Sequence, residues 1–131
     1  MSRLSSRDFA ALQGQWKQVE WEETGILNPP DDLSPPGVLT TFRGNHFIVC
    51  SAEGMLFLEG TFTLDASLVP KTIEYVDGMG PDQGKTLKGI YKLEGDIFSF
   101  VAADEGMPRP TQFQTGRGQT RRTFVRHISS N

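Results

Sequence analysis

The stretch KTLKGIYKLEGDIFSFVAAD, residues 85–104, indicates the fold class most directly. It holds two runs of apolar, β-branched and aromatic residues on either side of the short turn Glu94-Gly95. Two such runs joined by a glycine-containing turn are typical of a β-hairpin. Gly89 lies inside the first run, and an interior glycine in a strand indicates a bend or the close approach of another backbone. The stretch therefore predicts two adjacent antiparallel strands with a special position at Gly89.

The same succession of strand-like runs and turn residues extends along most of the chain. Within residues 55–65, four apolar side chains recur at period two, which is the spacing of a strand with one buried face. Residues 7–13 instead predict a short helix, capped by Asp8, with Phe9 and Leu12 on one face. The runs and turns together predict an all-β barrel or sandwich of about eight strands. The predicted strand regions are residues 14–23, 38–42, 46–52, 55–65, 71–77, 85–93, 96–104 and 121–128.

Length and composition favour one globular domain over residues 1–131. The chain has 37% hydrophobic and 22% charged residues, which is typical of a soluble globular protein. Its one cysteine, Cys50, excludes an internal disulfide. The N-terminal residues lack the apolar run of a signal peptide, and no stretch approaches the roughly 18 apolar residues of a transmembrane helix. We therefore expect a cytoplasmic protein with no membrane partner.

The stretch GMGPDQGKT, residues 78–86, ends in the way that a phosphate-binding loop ends. Such a loop requires its first glycine at the position that Met79 occupies here, and it requires a helix directly after the threonine. The residues that follow Thr86 predict a strand instead. We interpret the stretch as a glycine- and proline-rich loop between two strands, and we predict no nucleotide site.

Five short blocks, in order along the chain, carry a family resemblance. The blocks are Leu12-x-Gly14-x-Trp16, Gly60-Thr61-Phe62-Thr63-Leu64-Asp65, Pro70-Lys71-Thr72-Ile73, Gly89-Ile90-Tyr91-Lys92-Leu93-x-Gly95-Asp96 and Arg109-Pro110-x-x-Phe113. Through them the chain resembles an uncharacterised lipocalin-like (calycin-type) domain family, first noticed in planctomycete genomes, that has stand-alone bacterial members. The resemblance implies a roughly eight-stranded, antiparallel, up-and-down lipocalin-like barrel. The family usually ends in Leu-Lys-Arg, whereas this chain has Phe124-Val125-Arg126-His127.

Trp16 and Arg126 form the first pair of candidate site residues. In an up-and-down barrel the last strand closes on the first, and this closure would bring the two residues together. A guanidinium over an indole face stabilises by about 0.5–2 kcal/mol. The pair forms either the floor of a ligand site or a plug that seals the closed end of the barrel, and the resemblance to lipocalins implies the plug.

The other candidate residues are the polar or aromatic members of the blocks that carry the resemblance. Lys71 and Arg109 each adjoin a proline and are candidates for the mouth of the barrel, where small molecules commonly bind. Tyr91 belongs to the block that begins at Gly89. The candidate ligand-binding residues are therefore Trp16, Lys71, Tyr91, Arg109 and Arg126.

The arginines are unevenly distributed along the chain. Residues 106–131 carry five arginines and no acid, although the net charge of the whole chain is −3. One interpretation is a site for nucleic acid or another anion. The other is that the last strand pairs with the first and sets these arginines against Glu20, Glu22 and Glu23. Because the chain is acidic overall, long-range attraction to phosphate would be opposed, and we predict no nucleic-acid partner.

No pattern in the sequence indicates catalysis. There is no Gly-x-Ser-x-Gly motif, and His46 and His127 stand without the nearby ligands that a metal site needs. We therefore expect no enzyme activity, no catalytic residues, no cofactor and no metal. The expected function is non-catalytic binding of a small, mainly apolar molecule in the barrel. The alternative is a protein-interaction or inhibitor-like module that acts through the loops 28–37 and 78–84 around a solid barrel core.

Overall fold

The computed structural model of the chain describes residues 2–23, 25–28 and 37–128. Within these residues it contains one helix, α1 at Arg3–Leu12, and nine strands. The strands are β1 at Gly14–Glu23, β2 at Ile26–Asn28, β3 at Leu39–Arg43, β4 at His46–Cys50, β5 at Leu56–Asp65, β6 at Thr72–Asp77, β7 at Thr86–Glu94, β8 at Ile97–Ala103 and β9 at Gln119–Arg126. The eight predicted strand regions are confirmed, and β2 is a strand that the sequence did not predict.

Eight of the described strands form a closed antiparallel barrel. Their order is β1-β3-β4-β5-β6-β7-β8-β9, and β9 pairs back with β1. Strand β2 pairs with β1 as an addition to this closed set. The predicted all-β fold, an antiparallel up-and-down barrel with a short N-terminal helix, is therefore confirmed.

A β-bulge in β1 decides which of its side chains face the inside of the barrel. The register of β1 against β9 shifts between Gln18 and Glu20. Before the shift, Trp16 lies opposite Arg126, and both Trp16 and Gln18 are buried. A bulge adds one residue to one strand of a pair, so that Glu20 beyond the shift is exposed to solvent. The predicted pairing of the last strand with the first is confirmed.

Aromatic rings from several strands fill the centre of the barrel. Phe98 of β8 is fully buried, and its ring centroid lies 5.8 Å from that of Phe42, 6.0 Å from Phe124 and 6.1 Å from Trp16. Phe42 in turn meets Phe62 edge to face at 5.3 Å. Each such pair contributes about 0.5–1.5 kcal/mol beyond the burial of its area. Phe98 therefore packs against rings from β1, β3 and β9, which are far from β8 or from one another in the sequence.

Helix α1 packs against the barrel through its apolar face. Phe9 stacks on Phe62 at 5.8 Å, and Leu12 is fully buried, so the predicted shared face of Phe9 and Leu12 is confirmed. The predicted cap is wrong, because the helix begins earlier. Ser2 is the N-cap residue and accepts a backbone hydrogen bond from the first turn. Asp8 lies in the middle of the helix and is buried.

Candidate functional site

Trp16 and Arg126 lie together where α1 meets the barrel. Trp16 is fully buried, and its indole Nε1 donates a hydrogen bond to the carbonyl of Leu12 at 2.8 Å. The guanidinium carbon of Arg126 lies 4.4 Å from the centre of the indole ring, which is a cation–π distance. The guanidinium also donates to the carbonyls of Ala11 at 2.5 Å and Gln13 at 3.1 Å. Carbonyls at the end of a helix lack helical partners, so Arg126 fastens the helix to the barrel, as a plug would.

Replacing Arg126 by alanine is expected to destabilise the protein more than replacing Arg121 by alanine. Arg126→Ala removes the indole contact and the hydrogen bonds to α1, so we expect the free energy of unfolding to fall by about 2–3 kcal/mol. Arg121 forms partly exposed ion pairs with Glu22 at 3.1 Å and Glu20 at 3.8 Å. Such pairs contribute about 0–1 kcal/mol. Urea denaturation followed by tryptophan fluorescence measures both variants, and equal losses would contradict the plug interpretation.

Lys71 and Tyr91 meet at Asp8 of α1. The Asp8 carboxylate oxygen Oδ2 accepts hydrogen bonds from Lys71 Nζ at 2.9 Å and from the Tyr91 hydroxyl at 2.7 Å. Burial raises the pKa of Tyr91, and the hydrogen bond to Asp8 raises it further. Tyr91 is therefore a neutral donor to the Asp8 carboxylate. Tyr91 therefore joins the helix to β7, and Lys71, which directly precedes β6, joins the helix to that strand.

Arg109 lies apart from the other four candidates and bridges two strands. Its Nη1 donates to the carbonyls of Ile73 at 3.0 Å and Gly89 at 2.7 Å, two residues that are paired between β6 and β7. Its Nη2 forms an ion pair with Glu74. The structure thus brings Trp16 together with Arg126 and keeps Arg109 on its own, where it holds two neighbouring strands.

A cavity of about 340 Å³ lies inside the barrel, at the end away from α1. The course of strand β6 shows which end of the barrel this is. The strand begins next to Lys71, which binds the helix, and ends at Asp77, which lines the cavity. None of the five predicted site residues lines this cavity, and their ligand role stays a prediction. Inward-facing positions recur at every second residue of a strand, so rings from several strands converge on one space. The aromatic lining consists of Phe42, Phe47, Phe57, Phe62, Tyr75, Phe98, Phe100 and Phe124.

Tyr75 places a hydroxyl-bearing ring in this aromatic wall. Its ring centroid lies 5.8 Å from that of Phe100 and 6.1 Å from that of Phe47. Burial raises the pKa of Tyr75 to about 12, although the charge of Arg122 acts in the opposite direction. Tyr75 is therefore neutral at physiological pH and presents an apolar ring face.

Asp77 is a buried carboxyl on the cavity wall. Asp77 is 8% exposed, and its carboxyl oxygen Oδ1 has no hydrogen-bond partner among residues 2–23, 25–28 and 37–128. Burial raises the pKa of Asp77, the carboxylate of Asp82 adds to the rise, and the guanidinium of Arg122 opposes it. Buried polar atoms are almost always hydrogen-bonded in proteins. Oδ1 is thus an acceptor that the described residues leave without a donor, on a side chain that lines the cavity.

Sequence reasoning did not identify Asp77, although a signal was present. Ile73, Tyr75 and Asp77 alternate along β6, and all three line the cavity. The same period-two spacing predicts the buried face of residues 55–65. Applied to residues 71–77, it would have placed the carboxyl at the last inward position of the strand.

The loop at residues 78–84 forms part of the rim of the cavity. Residues 80–82 line it, next to the end of β6. The Lys85 Nζ lies 3.6 Å from the carboxylate of Asp82. Strand β7 begins at Thr86, so the strand predicted after the Gly-Lys-Thr sequence is confirmed. The context that a phosphate-binding loop requires, a helix at this point, is replaced by a barrel strand.

Comparisons with known proteins do not assign this chain to a family. No family model, no curated protein and no solved structure matches it. In the part of the chain that the structure describes, no group of three or more His, Cys, Asp or Glu side chains is placed to hold a metal ion. The helix in that part is too short to cross a membrane. The other predicted functional loop, 28–37, lies outside the described residues except at its two ends.

Proposed function

We propose that this protein binds a small, mainly apolar molecule in the cavity of its barrel and does not act on it chemically. The observation that supports this function is the cavity itself, with its lining of aromatic rings. An eight-stranded barrel is either filled by its own side chains or able to hold one small ligand. A cavity of about 340 Å³ supports the second of these two states.

The size and lining of the cavity define the kind of ligand. Sites for small molecules span about 300–1,000 Å³, are mainly apolar and carry a few placed polar groups. At about 340 Å³ this cavity lies at the lower end of that range. Its polar lining is restricted to a few side chains, among them Gln18, Asp77 and Arg122. The ligand is therefore compact, with one or two fused or linked rings or a short branched chain.

The alternative function, a loop-mediated protein-interaction module, assumed a solid barrel core. The cavity supports ligand binding over that alternative. The loop at residues 78–84 keeps a place in the ligand-binding proposal, because residues 80–82 form part of the cavity rim. Under this proposal the loop controls access to the ligand.

A tryptophan placed inside the barrel is expected to abolish ligand binding, whereas one placed outside is not. Thr40 lines the cavity, and Thr41, the next residue of β3, occupies the opposite face of the strand. The dye N-phenylnaphthylamine is neutral and apolar, and its fluorescence rises when it leaves water. We expect saturable dye binding to the wild type and to Thr41→Trp, and binding weakened about ten-fold or more in Thr40→Trp.

The melting temperatures of the two tryptophan variants serve as the control for folding. Both variants are expected to melt cooperatively, since the indole at position 40 enters existing space. Dye fluorescence that does not saturate with the wild type would contradict ligand binding in the barrel. Equal dye affinity of Thr40→Trp and Thr41→Trp would place the dye elsewhere on the protein.

A further inference from the structure

We propose that the ligand carries a hydrogen-bond-donating head group, an amine or a hydroxyl, which binds the carboxyl group of Asp77 while its apolar body packs among the aromatic rings. This inference rests on the proposed function and narrows the class of ligand. Asp77 selects only one end of the ligand, its head group. The aromatic part of the cavity accepts many apolar bodies, whereas the ionised carboxyl group of Asp77 accepts hydrogen bonds and donates none.

The position of Asp77 carries the proposal. It is the last residue of β6, it is 8% exposed, and it lines the cavity. Its oxygen Oδ1 finds no hydrogen-bond donor anywhere in the described part of the chain. A buried acceptor without a donor loses its hydration and gains nothing in return. A ligand that brings an N–H or O–H group to Oδ1 would restore the missing hydrogen bond, and a hydrocarbon would not.

The charges around the cavity favour a donor over an acid. Asp77 and Asp82 contribute two carboxyl groups, Arg122 of β9 contributes a guanidinium whose charge acts on Asp77, and Lys85 lies beside Asp82 at the rim. Tyr75 on β6 is neutral, and Gln18 on β1 carries no charge. A carboxylate head group at Oδ1 would place a second acid directly against the carboxyl group of Asp77. An ammonium or a hydroxyl group would instead meet an excess of acceptors.

The protonation behaviour of Asp77 agrees with this geometry. Burial raises the pKa of Asp77, and the charge of Asp82 acts in the same direction. A donor bound at Oδ1 would stabilise the ionised carboxylate and lower that pKa again. A ligand with a donor head group therefore relieves an unfavourable feature of the free protein.

Four naphthalene derivatives with the same apolar body test the head group. They are naphthylmethylamine, naphthylmethanol, methylnaphthalene and naphthoate, and titration calorimetry at neutral pH measures their affinities. We expect the amine and the alcohol to bind the wild type about ten-fold more tightly than methylnaphthalene and naphthoate, as for one hydrogen bond to a buried carboxyl group. In Asp77→Leu, methylnaphthalene should bind at least as tightly as before, and the advantage of the amine and the alcohol should disappear.

Two further variants keep the test decisive if Asp77→Leu does not fold. Asp77→Asn keeps the shape and the acceptor but removes the charge, so the advantage of the amine should shrink more than that of the alcohol. Asp82→Asn, at the rim, should leave the preference for the alcohol over methylnaphthalene intact. These outcomes separate a contact at Asp77 from general attraction by the acidic rim.

The contrary outcomes are distinguishable from one another. If methylnaphthalene binds the wild type saturably and the four affinities agree within about two-fold, ligand binding stands and the donor head group is wrong. If naphthoate binds most tightly, Arg122 rather than Asp77 selects the head group, and the inference is overturned. If none of the four compounds binds and N-phenylnaphthylamine does not bind either, the proposed function itself fails, whereas saturable binding of the dye alone overturns only the donor head group.

Discussion

Removing β9 by ending the chain after Gly118 is expected to unfold the protein. Strand β9 is hydrogen-bonded to β8 on one side and to β1 on the other, so its loss would open the barrel and expose two strand edges. The truncation would also remove Phe124, which packs at 6.0 Å on Phe98, and Arg126, which lies on Trp16. Stability of a domain is only about 5–15 kcal/mol, and the loss of a closing strand with its core residues exceeds that margin.

Tryptophan fluorescence and thermal melting measure this effect. Trp16 is fully buried in the intact protein, so the truncated chain should show emission shifted to the red and no cooperative melting transition. The matched control ends after His127, which preserves β9 in full and should melt as the intact chain does. A truncation after Gly118 that melts cooperatively with unshifted emission would show that β9 is an appendage and not part of the barrel.

The strand order was predictable because alternation and turn residues are local signals. The hairpin at Glu94 and Gly95 is an example, since β7 and β8 pair up to Glu94 and Ile97, and Gly95 has a φ of +58°, a value that favours glycine. The missed strand is the three-residue β2. Three residues are too few to show a period of two, and its pairing with β1 becomes visible only in the folded barrel.

Which end of the barrel is covered by the helix was not predictable, because this depends on contacts between residues that are distant in the sequence. Asp8 has the chemistry of a helix cap. Its actual partners, Lys71 and Tyr91, lie 63 and 83 positions further along the chain. A local pattern cannot show such partners. The candidate site residues therefore came from the family-like blocks and from the expected closure of the barrel. Four of them, Trp16, Lys71, Tyr91 and Arg126, lie at the helix-covered end of the barrel, whereas the cavity lies at the other end.

The special position of Gly89, in contrast, was predictable from the strand pattern alone. A Cβ atom at Gly89 would lie 2.6 Å from the carbonyl oxygen of Val101, so the expected close approach of another backbone is confirmed. The same reasoning applies to Gly60, which interrupts the run LFLEGTFTLD, residues 56–65. Gly60 was not predicted as a special position, although its surroundings are tighter still.

Replacing Gly60 by alanine is expected to lower the free energy of unfolding by about 3 kcal/mol or more, through overpacking. A Cβ atom at this position would lie 2.1 Å from the carbonyl oxygen of Val76, on the neighbouring strand β6, and 2.7 Å from the ring of Phe47. The carbonyl oxygen belongs to the backbone and cannot turn aside. Either β5 and β6 separate, with loss of ladder hydrogen bonds, or the strand twists and displaces Phe47.

The effect of Gly60→Ala extends to the proposed ligand site, because Phe47 is a wall of the cavity. Gly78→Ala is the matched control, since its Cβ would lie 3.3 Å from the nearest atom, a backbone oxygen that a small shift accommodates. Urea midpoints should rank Gly78→Ala above Gly89→Ala, and Gly89→Ala above Gly60→Ala. Below its melting temperature, Gly60→Ala should also bind N-phenylnaphthylamine more weakly than Gly78→Ala does.

Equal midpoints for Gly60→Ala and Gly78→Ala would show that β5 and β6 separate at no cost. In that case the ring of Phe47 would be held in the cavity wall by other neighbours, such as Tyr75, whose ring centroid lies 6.1 Å from that of Phe47.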